Sequence, residues 1–73
     1  TATMADQNMI VEVYFANELA HRGFTDDQII NILVEAQSQS PSGFKWHERL
    51  RAYPETLLEI IRTIINRIAL KIK

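Results

Sequence analysis

The last twenty residues, Pro54 to Lys73 (PETLLEIIRTIINRIALKIK), constrain the fold more than any other stretch. At ~100° per residue they wind into a two-sided helix. Leu57, Leu58, Ile60, Ile61, Ile64, Ile65, Ile68, Ala69 and Ile72 share one half of the wheel, and Glu55, Thr56, Glu59, Arg62, Thr63, Asn66, Arg67 and Lys73 share the other. This is the period of an amphipathic helix. Leu70 falls among the polar residues and Lys71 at the seam. Pro54 suits a first helical position, where no amide donor is needed. Glu55 and Glu59 match the positive end of the helix, and Arg67, Lys71 and Lys73 the negative end. A helix lying on one neighbour needs an apolar stripe of ~100°. This one is nearer a half-turn, which predicts packing against several neighbours or against a second chain.

The rest of the chain is short. With 73 residues it forms one small domain, expected over 4–73, with Thr1-Ala2-Thr3 set aside and Met4 as the natural start. A core of this size supplies little net stability, and without cysteine there is no disulfide to reinforce it. Association with a partner is then the remaining source of burial. The lack of cysteine also fits a reducing compartment, so the expected location is cytoplasmic. No apolar run is long enough to span a membrane.

Asp6–Arg22 (DQNMIVEVYFANELAHR) reads as a first helix, apolar on several sides, with Met9, Ile10, Val13, Ala16 and Ala20 on one and Val11, Phe15 and Leu19 on another. Its MIVEVYF window is rich in β-branched and aromatic residues and competes as a strand. No second strand is available to pair with it, so helix is the reading. Gly23 suits a left-handed helix stop. Thr25 and Gln28 have the spacing of a capping box, and Phe24 and Ile29 that of a hydrophobic staple. The second helix is predicted from Asp26 to about Gln37, with Ile29, Ile30, Ile32, Leu33, Val34 and Ala36 facing inward. Gln37–Gly43 (QSQSPSG) is linker-like. Phe44–Tyr53 (FKWHERLRAY) spaces Trp46, Leu50 and Tyr53 as a short third helix that stops before Pro54. The expected fold is all-α: four helices, as two hairpins joined by the Ser/Pro/Gly linker.

The stretch LAHRGFTDDQIINILVEA, Leu19–Ala36, resembles the first loop and second helix of ubiquitin-associated domains, with Gly23-Phe24 closing helix one. Phe24–Ala36 also resembles the opening of the helix-turn-helix subunits of small insertion-sequence transposases. Neither resemblance assigns a functional residue here.

Nothing in the sequence has the spacing of a catalytic or cofactor site. There is no glycine-rich phosphate loop, no His or Cys metal spacing and no Ser-His-Asp set. His21 falls in the last turn of a helix, where a cation is favoured. Asp26 and Asp27 read as helix-start acids. The chain is therefore expected to be no enzyme and to hold no cofactor or metal.

Charge is unevenly spread. Residues 1–40 carry six acids and one base, for −5, and residues 41–73 carry seven bases and three acids, for +4. Two halves attracting one another inside one fold is one explanation, and a basic face for an anionic partner is another. The preferred function is a protein–protein docking, adaptor or regulatory module. It would self-associate, as a homodimer, through Ile60, Ile64, Arg67, Ile68, Leu70 and Ile72. Paired acidic and basic helical elements in one chain are similar in outline to the docking domains of multi-enzyme assembly lines. The alternative is a dimeric nucleic-acid binder using Lys45, Arg49, Arg51, Arg62 and Arg67, with Trp46 among them. A membrane surface is a poor fit for the last helix, whose polar face mixes Glu with the bases and has no aromatic anchor.

Overall fold

Gly23, Phe24 and Thr25 turn the chain between its first two helices, each by a different device. In the computed structural model, residues 9–41 and 45–72 are described. Among them α1 spans Val11–His21, α2 Asp26–Gln39 and α3 Glu55–Ile72, with a 3-10 turn at Leu50–Ala52 leading into α3. Gly23 takes φ 94°, which a side chain at Cβ would disfavour. That geometry lets the Gly23 amide reach the Ala20 carbonyl at 3.1 Å and the Phe24 amide reach Leu19 at 3.3 Å. These are the two bonds of a Schellman stop. Phe24 then turns into the core, 7% exposed. Thr25 closes the capping box: its hydroxyl accepts from the Gln28 amide at 3.3 Å, and the Gln28 side chain accepts from the Thr25 amide at 3.0 Å. Ile29, the staple partner of Phe24, is buried in the same core.

The all-α class stands, but the described residues form three α-helices rather than four. The segment from Lys45 to Tyr53 is bent and extended, with one turn of 3-10 helix. The reason lies at the start of α1. Ile10 occupies its N-cap and offers no side-chain acceptor. The first amides of a helix have no partner within it. Here Val11 donates to the Glu48 carbonyl at 3.2 Å and Glu12 to that of Trp46 at 3.1 Å, while the Leu50 amide turns to Met9 at 2.8 Å. An α-helix through 46–53 would need the Leu50 amide on the Trp46 carbonyl. Both groups are committed to α1 instead. Ile10 and Arg49 form an antiparallel bridge at the same place, so the strand tendency of the MIVEVYF window is confined to its edge and helix begins at Val11.

The expected first-helix residues Asp6–Asn8 lie outside the described residues, as do Ser42 and Gly43 of the linker and Phe44. The earlier linker residues Gln37, Ser38 and Gln39 complete α2, where Ser40 Oγ donates to the Ala36 carbonyl at 2.8 Å.

The core is a single cluster. α1 contributes Val11, Phe15 and Leu19; α2 contributes Ile29, Ile32, Leu33 and Ala36; α3 contributes Leu57, Ile61, Ile65, Ile68 and Ala69. Trp46 and Tyr53 join it from the segment before α3, although the α-helix their spacing with Leu50 suggests is not formed. Each large side chain so buried contributes about 1.5–3 kcal/mol. α2 is packed against both other helices. On α1, Tyr14 and Ala16 pack partly against the cluster on either side of the Val11, Phe15 and Leu19 face, while Val13 and Ala20 remain exposed.

Candidate docking surface

On α3 the core takes the arc centred between Leu57, Ile61 and Ile65. Ile60 and Leu70 lie off that arc and are 46% and 75% exposed, with Arg67 and Lys71 exposed beside them. Ile72 lies on the arc but in the last turn of the helix, and is 40% exposed there. Ile64 is half-buried against the core. Ile68 must be removed from the expected docking set: at 4% exposure it is covered by its own chain. Its wheel position lies within ~20° of Leu57 and Ile61, so it turns inward with them.

α2 carries a second exposed apolar row that the sequence reading placed inside. Ile30 is 58% exposed and Val34 63%. The core-facing residues Ile29, Ile32, Leu33 and Ala36 occupy one arc, and Ile30 and Val34 lie ~110° and ~150° from its centre. An apolar pair such as Ile29-Ile30 cannot face one direction on a helix, and that was the available signal. Asp27 belongs to the same outward row, and α2 holds Asp26, Asp27 and Glu35 with no basic residue.

The five bases of the nucleic-acid alternative are not gathered on one side of α3. Arg62 and Arg67, five residues apart, point ~140° away from one another. Arg62 is engaged with α1: its guanidinium lies 3.0 Å from the Glu18 carboxylate and donates to the Tyr14 hydroxyl at 2.9 Å. It also lies over the Tyr14 and Phe15 rings, 5.9 and 5.8 Å from their centroids. Lys45, Arg49 and Arg51 are exposed on the segment before α3. Trp46, the stacking candidate, is 4% exposed and packs 6.0 Å from the Phe15 ring. Its Nε1 finds no acceptor among the described residues.

His21 and His47 are exposed, at the end of α1 and in the turn before the 3-10 segment. Among the described residues no three His, Cys, Asp or Glu are grouped as metal ligands, no pocket opens, and no helix is long and apolar enough to cross a membrane. The perturbed titrating group is Tyr53, whose hydroxyl is pushed above its ordinary pKa by burial and by the nearby Glu48 carboxylate. Chemically, then, the surface offers apolar contact and charge pairing. Compared with protein families, with curated proteins and with solved structures, the chain matches none.

Proposed function

We propose that this protein is a non-enzymatic docking module that self-associates, with the outward face of α3 as its docking element. The supporting observation is the exposure of Ile60 and Leu70 on the outward side of α3, beside Arg67 and Lys71. Leu70 at 75% exposure has no role inside the domain. Exposed large apolar side chains beside charged ones are a feature of interaction sites. Burying them against a partner supplies what a 73-residue core supplies poorly.

Sedimentation at two concentrations tests this reading. A mass that rises with concentration is expected, and the double variant Ile60→Glu/Leu70→Glu should sediment as a monomer with its helical content intact. A parent chain that stays monomeric at millimolar concentration would end the proposal.

A further inference from the structure

Resting on that reading, we infer that the occupant of the α3 face is the outward α2 face of a second copy, with the two helices antiparallel. The two rows are complementary in spacing and in charge. On α2, Asp27 and Val34 are seven residues apart with Ile30 between them, and on α3, Ile60 and Arg67 are seven apart with Ile64 between them. Laid antiparallel, Val34 meets Ile60, Ile30 meets Ile64, and the Asp27 carboxylate meets the Arg67 guanidinium. Lys71 then lies beyond Arg67, towards the acidic start of α2 that also holds Asp26. A parallel arrangement would set Asp27 against Ile60 and Arg67 against Val34, leaving both charges on apolar partners.

Charge also disfavours the simpler pairings. α3 against α3 through the Ile60–Ile64–Arg67 row itself holds no acid: parallel chains in register oppose like charges, and antiparallel chains centred on Ile64 set Arg67 near Ile60, while Glu55 and Glu59 lie off that row. α2 against α2 has acids and no base. Only the mixed contact pairs charge of opposite sign. Within one chain the exposed members of the two rows, Ile30 and Val34 on α2 and Ile60 on α3, point away from the core the two helices share, and Ile64 is left half-exposed at its edge. The contact is therefore between copies: made twice about a two-fold axis it closes a dimer, and made once per pair it builds rings or open filaments.

The test uses two full-length variants, each with one face disabled: Val34→Glu on α2 and Ile60→Glu on α3, both at exposed positions. Each alone should be monomeric. Mixed in equal amounts they should form a one-to-one heterodimer and nothing larger, because one intact α2 row meets one intact α3 row. The charge pair is read separately. Asp27→Arg and Arg67→Asp should each weaken association at least tenfold, and the double variant should regain it. If Val34→Glu associates like the parent while Ile60→Glu does not, α3 still docks but not on α2, and this inference falls while the proposed function stands. If the parent itself stays monomeric, both fall.

Discussion

Arg62 and Glu18, 44 residues apart in sequence, meet at 3.0 Å between α3 and α1. The same guanidinium reaches the Tyr14 hydroxyl and covers two aromatic faces. One side chain therefore ties the first helix to the last. Part of the opposite charge held by the two halves of the chain is used inside the fold.

Arg62→Ala is expected to destabilise the domain by about 1–2 kcal/mol. Both partners of the ion pair are partly in water, so the charge pair itself contributes at most ~1 kcal/mol. The ring contacts add about 0.5–1 kcal/mol. Urea unfolding measures the total, and Arg62→Lys should recover only part of it, because ammonium lacks the planar fork. A loss under ~0.3 kcal/mol would show that the contact contributes nothing beyond an ordinary surface pair.

The α1–α2 turn should be sensitive at Gly23 and Thr25. Gly23→Ala forces a Cβ into a left-handed conformation and should cost about 1–2 kcal/mol. Thr25→Ala removes one half of the capping box and should cost ~1 kcal/mol. Both are measured by thermal melting. Because the two sites share one turn, the double variant should depart from the sum of the singles.

Stability should fall in alkali through Tyr53. Its folded pKa is raised above 10.0. The folded state therefore holds the proton where the unfolded chain has begun to release it. The contribution is fully present below about pH 10 and is lost as pH rises through the higher folded value. Tyr53→Phe should flatten this alkaline limb in urea midpoints measured against pH. An unchanged limb would assign the effect to other groups.

Trp46 should separate the cost of volume from the cost of an unpaired donor. Trp46→Ala opens the end of the core and should cost about 3–5 kcal/mol. Trp46→Phe loses less volume and also removes a buried N–H with no acceptor among the described residues. Leaving such a donor unpaired costs about 1–3 kcal/mol, so this variant should lose less than ~2 kcal/mol. A Phe variant as unstable as the Ala variant would mean that the indole nitrogen is paired after all.

Three helices and the turn joining the first two were legible because their signals are local. The Gly23 stop, the Thr25–Gln28 box, the Pro54 start and the long amphipathic period each act within a few residues. The third helix was misread for a reason outside its own sequence: the carbonyls of Trp46 and Glu48 are drawn to the uncapped start of α1, more than thirty residues earlier. On the surface, Leu70 could be placed outside the core from its angle alone, because it falls among the polar residues of the wheel. Ile68 could not, because a half-turn of apolar residues does not show which part of it a small domain can cover. For Ile30 and Val34 the adjacency of Ile29 and Ile30 shows that one of the pair must leave the core side, but which one goes is settled only when the neighbours are placed.

The sequence by itself determined that this chain is helical, where two of its turns fall and that its last helix is two-sided, because periodicity, capping and backbone geometry are short-range. Tertiary structure alone decided which apolar residues stay in water and which carbonyls serve another helix's first turn. Burial and long-range hydrogen bonding depend on which surfaces meet, and no local pattern contains that.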